Sequence, residues 1–218
     1  MHIDGYLESV RRKCWSGSVR SARHGVVVAG EGFGSQVLHP LLSARRSPAR
    51  FDPGDQPMSD EVLEGLLEAA RWAPSAGNSQ PWSFIVGRRG EEVRDRLERH
   101  LAGSSRAWAP DAGLLVVNLA HRWVEGTDWE YSEFSLYDLG QAVAHMTIQA
   151  QSLGLGCRQF RAFDRESLTR EFEVPGHWQI VSMTAIGHPR AEPGHATSPA
   201  AGLAARSRRP LQDLLWPH

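Results

Sequence analysis

Ala73-Pro-Ser-Ala-Gly-Asn-Ser-Gln-Pro-Trp82 lies between a helical pattern and the apolar run Ser83-Phe-Ile-Val86, and its composition is unusual for a connector. Pro74 stops a helix because it lacks an N–H and its ring crowds the preceding turn. Gly77 and Asn78 tolerate backbone angles that most residues avoid. Pro81-Trp82 then opens a strand. Such a segment sets backbone N–H groups and short polar side chains beside an apolar platform, a place for a planar ring with polar edges. A tight helix-to-strand connection alone would also account for it.

Working outward, Ser59-Asp60-Glu61 supplies an N-cap and first-turn acids. Val62, Leu63, Leu66, Leu67 and Ala70 follow on one helical face. Ser83–Val86 reads as a strand, 91–102 as a charged amphipathic helix and 113–120 as a buried strand. A long helix over 138–152 turns Leu139, Ala142, Val143, Met146, Ala150 and Leu153 inward and stops at Gly154. Residues 157–163 read as a strand, Asp164 caps a helix to Phe172, and 180–186 form a further strand. Helices and strands mix without an internal repeat, which predicts an α+β sandwich around one sheet.

The first 36 residues carry early basic side chains and no sustained period apart from a short helix over Tyr6–Lys13. They read as a flexible N-terminal extension to a domain spanning 37–218, and Leu38-His-Pro-Leu-Leu42 looks like its natural beginning. Within the extension, Val26-Val-Val-Ala-Gly-Glu-Gly-Phe-Gly34 imitates a dinucleotide-binding turn. Ser35 occupies the place of the third glycine, and no second βα unit follows, so that reading fails. The stretch 191–205 is rich in Pro, Ala, Gly and Ser and reads as a surface wrap.

A chain of 218 residues has room for one sizeable core. Its 41% hydrophobic and 22% charged residues are ordinary for a globular protein, and a net charge of −1 argues against a nucleic-acid surface. Its apolar runs are too short for a membrane span and no signal-peptide core is present. Cys14 and Cys157 form neither a disulfide framework nor a metal-ligand spacing. The expectation is a cytoplasmic protein without a metal, a membrane or a nucleic-acid partner. The histidines lack helical-spaced partners and read as surface or structural groups, and Cys157 reads as a small buried residue.

Two further segments bear on chemistry. Arg45-Arg-Ser-Pro-Ala-Arg-Phe51 gathers forked guanidinium donors and a hydroxyl suited to a phosphate, though a basic surface turn has the same composition. Arg206-Ser-Arg208 offers a second basic pair, or a solvated tail.

Together with the 73–82 loop, in order and spacing, these segments resemble the nitroreductase superfamily of FMN-dependent oxidoreductases, over Leu38 to Leu215. The Pro-Ser-x-x-Asn-x-Gln-Pro-Trp pattern of that family is matched by Pro74, Ser75, Asn78, Gln80, Pro81 and Trp82. The resemblance implies a nitroreductase-like sandwich with a mostly antiparallel sheet flanked by helices, working as a homodimer with two FMN sites at the interface. It implies that Arg45, Arg46, Ser47, Arg206 and Arg208 hold the FMN phosphate. Pro74, Ser75 and Asn78 would lie against the ring, and the Arg161 and Ala162 segment would meet its reactive edge. The implied chemistry is ping-pong: NAD(P)H as electron donor, then a small-molecule acceptor such as a nitro compound or quinone. No catalytic acid or base is assigned. Two alternatives are a flavin oxidase or dehydrogenase of a peptide-like biosynthetic substrate and a non-catalytic flavin-binding regulator.

The chain departs from the family pattern twice. Ala49 stands where a basic residue is usual, with Arg50 one step later, and a one-residue shift along an extended segment changes the face. Residues 121–136 are short where relatives insert helices, and include Trp123, Trp129, Tyr131 and Phe134. They predict a short aromatic lid over the substrate, or aromatics that pack the dimer.

Overall fold

Ser59 caps the first long helix as expected: its Oγ accepts the Val62 N–H at 3.3 Å. The computed structural model describes residues 38–54, 57–190 and 207–216, all within the compact unit Leu38–His218. The expected 1–36 extension, its short helix and glycine-rich turn, and the 191–205 wrap lie outside the described residues. In chain order the elements are α1 (Pro40–Ala44), β1 (Phe51–Asp52), α2 (Asp60–Arg71), β2 (Trp82–Arg88), α3 (Glu92–Arg99), α4 (Gly103–Arg106), β3 (Leu114–His121), α5 (Ser135–Ser152), β4 (Gly156–Phe160), α6 (Arg165–Glu171) and β5 (Trp178–Pro189).

The fold is α+β, with one five-stranded sheet in the order β1-β5-β3-β2 and β4 also paired to β5. Every pairing is antiparallel. Strand β3 is central, running from Leu114↔Ile186 to His121↔Trp178 against β5, with an irregularity at Asn118/Leu119. All of its residues except His121 are buried, as a strand covered on both faces requires. On one face Leu114, Val116 and Ile186 pack against Leu66 and Ala70 of α2 and Ala142, Met146 and Ala150 of α5. On the other, Leu115, Val117, Met183 and Ala185 meet Leu97, Leu101, Trp108 and Leu168. The sheet is therefore flanked by helices on both sides. Among the described residues no helix is long and apolar enough to cross a membrane.

The second face is held by a buried cation. The Arg94 side chain, 1% exposed, donates to the carbonyls of Ala109, Pro110 and Ala112 at 3.2, 3.0 and 3.0 Å and to Glu98 at 2.6 Å. Gly87 makes the approach possible, since a Cβ there would come within 2.9 Å of the Arg94 backbone.

Element ends differ from the sequence expectations for identifiable reasons. The 91–102 helix stops at Arg99, because Leu101 bridges Phe163 and the Ala102 N–H bonds the Ala162 carbonyl at 3.0 Å. The same contacts end β4 at Phe160 rather than Phe163. Helix α5 starts at Ser135, three residues before Asp138, and β5 runs beyond both expected ends, to pair with His121 at one and β1 at the other. Gly154 stops α5 as expected, with φ +74; Leu153, expected inward, is the C-cap past the last helical turn and is exposed.

Candidate flavin site

The loop between α2 and β2 is shaped by three consecutive-to-near positive φ values: Gly77 at 60, Asn78 at 56 and Gln80 at 47. Asn and Gly tolerate this region. Gln80 is compensated, since its N–H donates to Ser75 Oγ at 3.0 Å and its side chain to Asn78 Oδ1 at 3.3 Å. The loop is pinned from below by α5. Asp138, 1% exposed, accepts the Ala76 N–H on Oδ2 at 3.0 Å and the Gln141 amide on Oδ1 at 3.2 Å. Gln141 also reaches the Pro74 carbonyl at 3.4 Å. Sequence reading placed Asp138 only as a helix start; its buried position in the first turn of α5 makes it the loop's anchor.

The arginine turn lies against the start of β4. Gly156 has no room for a side chain, because a Cβ would come within 2.8 Å of Pro48 Cγ. This close approach brings Arg45, Arg46 and Ser47 to the sheet, where Arg45 Nη1 lies 3.4 Å from Ser47 Oγ and its charge favours the Cys157 thiolate. Arg158 clamps the turn from β4: it donates to the Ala49 carbonyl at 3.0 Å and stacks over Trp108 at 3.8 Å. Arg50 is exposed, and its carbonyl accepts the Arg190 N–H at 3.1 Å.

Cys157 is buried beneath this turn. Burial pushes its thiol up to about 12, more than the Thr147 hydroxyl and Arg45 lower it. Peptide mapping after iodoacetamide treatment at pH 8 is expected to leave Cys157 unmodified in the native protein and to find it alkylated after denaturation. Native-state labelling would refute its closed environment.

At the far end of β4 the backbone has an asymmetric use. The Arg161 carbonyl accepts the Phe163 N–H at 2.9 Å, and the Ala162 carbonyl accepts from Ala102 N–H and Ser105 Oγ. Among the described residues neither Arg161 N–H nor Ala162 N–H has an intramolecular acceptor. Paired donors of this kind suit a ring's polar edge.

The structure brings some of the expected site residues together and separates others. The Arg45-Arg46-Ser47 turn packs at the start of β4, and Arg161 and Ala162 follow its other end. Pro74, Ser75 and Asn78 sit at the opposite, N-terminal end of α5, a helix of 18 residues spanning about 27 Å. Arg206 lies outside the described residues. Arg208 is exposed and donates to the Ser207 carbonyl at 2.8 Å.

The 121–136 segment is a short aromatic turn. Trp123 bridges Glu130, the Val124 N–H bonds the Trp129 carbonyl at 2.8 Å, and Gly126 turns at φ +73. Tyr131 stacks on His121 with centroids 3.8 Å apart, and His121 stacks in turn on Trp178 at 4.8 Å. The Tyr131 hydroxyl lies 3.4 Å from the Ser79 carbonyl, so the turn touches the 73–82 loop. Burial, reinforced by the neighbouring His177, lowers the His121 pKa and favours the neutral ring. Trp129 remains 77% exposed.

The family model described as the nitroreductase family matches residues 42–127 and 106–188, more than half of the chain. The chain belongs to the nitroreductase family. It is similar to 5,6-dimethylbenzimidazole synthase of Rhodospirillum rubrum, 30% identical over 197 residues, covering 79% of this chain and 90% of that one. It is also similar to the NADH dehydrogenase of Thermus thermophilus, 26% identical over 191 residues, covering 72% and 92%. Among solved structures, an oxidoreductase containing FMN superposes with a TM-score of 0.71 at 25% identity, over 84% of this nitroreductase-family chain and 92% of that one. Its α+β sheet with helices on both faces is the arrangement expected for the family.

Proposed function

We propose that this nitroreductase-family chain is an FMN-dependent oxidoreductase that passes electrons from NADH or NADPH to a small oxidised acceptor, such as a nitro compound or quinone, by ping-pong exchange. The observation that carries it is the pair of unclaimed N–H groups at Arg161 and Ala162, just past the end of the strand whose start the arginine turn packs against. Arg45, Arg46 and Ser47 would hold the phosphate, with Arg206 and Arg208 closing over it. The Arg161 and Ala162 N–H groups would orient the ring, and Pro74, Ser75 and Asn78 would wall it. FMN bound there would supply hydride transfer; the chain supplies charge, orientation and exclusion of water.

The separation of the 73–82 loop from the arginine turn supports a homodimer. If both walls serve one flavin, the loop of one copy completes the site of the other, giving two sites per dimer. We place this dimer in the cytoplasm.

Purified protein mixed with FMN is expected to give a bound flavin spectrum that bleaches with NADH or NADPH under argon and recovers with a nitroaromatic. A preparation that binds no FMN would overturn the reading. Arg45→Ala/Arg46→Ala together remove two charge-assisted contacts and are expected to raise the FMN Kd by about 100- to 10,000-fold, at roughly 1.5–3 kcal/mol per contact. A second reading is favoured by the synthase match, which spans 79% of this chain against 72% for the dehydrogenase match: a flavin enzyme oxidising a biosynthetic intermediate. Reduced protein that reoxidises in air but not with nitroaromatics or quinones would support it. Flavin that binds and is never reduced by either nucleotide would point to a non-catalytic regulator.

A further inference from the structure

Arg161 leaves the chain at the segment whose N–H groups meet the flavin in the proposed site. Its guanidinium lies 5.2 Å from the centroid of the buried Phe163 ring, which limits where it can go. The backbone beneath it is fixed by the bonds to Ala102, Ser105 and Phe163. Arg165 begins α6 four residues on, and the two positive charges repel each other. Among the described residues neither guanidinium is in an ion pair. The nearest acid in sequence, Asp164, is used as the N-cap of α6, where its carboxylate accepts the Ser167 N–H at 3.0 Å.

Several other arginines among the described residues have found carboxylates, whereas Arg161 and Arg165 are both exposed and have none. Arg96 and Arg99 share Glu171, Arg88 takes Asp60, and Arg122 takes Glu130. Two adjacent cations held without a counter-ion beside a predicted reactive edge therefore point to a charge that arrives with the substrate.

We propose that Arg161, supported by Arg165, binds an oxyanion (a carboxylate or phosphate) on the small molecule that exchanges electrons at this site, so that the preferred substrate is anionic. Partial burial and the Arg165 charge both lower the Arg161 pKa, and a bound oxyanion relieves both. An arginine fork matches such a group bidentately. This inference rests on the flavin reading above.

The test separates the two. Holoprotein is titrated with benzoate and with its neutral isostere benzamide, following the flavin absorbance perturbation without turnover. Acceptor turnover is then compared for 4-nitrobenzoate and 4-nitrobenzamide. Benzoate is expected to bind more tightly than benzamide, and Arg161→Gln to reduce that preference at least tenfold, with Arg165→Gln reducing it less. The kcat/KM ratio of the two nitro acceptors is expected to fall in parallel, and 0.5 M salt to shrink the wild-type preference. Matching runs with NADH and NADPH assign the anion: a ratio that moves only for the nucleotides places the oxyanion on the donor phosphate, and one that moves for the acceptors places it on the acceptor carboxylate. Equal losses for charged and neutral ligands mean that Arg161 is structural and overturn the proposal while leaving the flavin reading intact. A protein that takes up no FMN overturns both.

Discussion

Arg94→Ala is expected to lower the unfolding free energy by about 3–5 kcal/mol, the range for removing one partner of a buried charged network, and the melting temperature by roughly 8–15 °C for a domain of this size. The guanidinium is 1% exposed and its donors serve three consecutive-to-near carbonyls of the 109–112 turn and the Glu98 carboxylate. Removing it leaves those carbonyls facing a cavity beside Leu97, and each unsatisfied carbonyl costs about 1–3 kcal/mol. Arg89 reaches the Pro110, Asp111 and Ala112 carbonyls from the other side, so the turn would not be wholly abandoned, which keeps the loss below a simple sum. Arg94→Met fills part of the volume and none of the hydrogen bonds, and is expected to fall almost as far. Arg94→Lys keeps the charge without the fork and is expected to lie between. Burial pushes the Arg94 pKa down, and Glu98 pushes it back up; the group stays charged. A chemical-denaturation midpoint for Arg94→Ala within error of wild type would show that the turn is held by other contacts.

Arg94 also marks the limit of what the sequence disclosed. The 91–102 pattern reads as a charged amphipathic helix, and an arginine in such a helix is assigned to solvent. Its burial depends on Gly87 letting α3 approach β2 and on a proline-containing turn presenting its carbonyls, two facts from segments distant in sequence. By contrast, β3 and α2 were legible because burial follows the local pattern: the run 114–120 is apolar apart from Asn118, and Ser59 caps an amphipathic face. At the site, Pro74, Ser75 and Asn78 and the Arg45 turn were legible as motifs. Their placement at opposite ends of α5 was not, because it is set by the chain reversal at Gly154 and by Pro48 packing on Gly156. Arg158 went unread for a similar reason, since its partners Ala49 and Trp108 lie on either side of β2 and α3 in sequence.

Asp138→Ala is expected to weaken FMN binding by ten- to a hundredfold and to lower the stability of the flavin-free protein by about 2–3 kcal/mol, the value of a buried hydrogen bond to a charged group. Both carboxylate oxygens are used as acceptors, one by the Ala76 N–H and one by the Gln141 amide, and the first turn of α5 adds a favourable dipole. Without them the Ala76 N–H is stranded and Gln141 loses the partner that aims it at the Pro74 carbonyl. The loop then gains freedom around Gly77, Asn78 and Gln80, whose positive φ values are held only by such contacts. Asp138→Asn separates charge from geometry: its amide oxygen can still take the Ala76 N–H, but its NH2 faces the Gln141 amide, which must flip and release Pro74. It is expected to recover about half of the loss. Flavin separates the anchor from a merely structural residue. Ligand stabilises the folded protein by RT ln(1 + [L]/Kd), so at a fixed FMN concentration the added stability should shrink by about 1.4 kcal/mol for each tenfold loss of affinity. If Asp138→Ala lowers the stability of the flavin-free protein yet leaves the FMN-dependent increment at its wild-type size, the buried carboxylate supports the helix alone and the loop holds its shape without it.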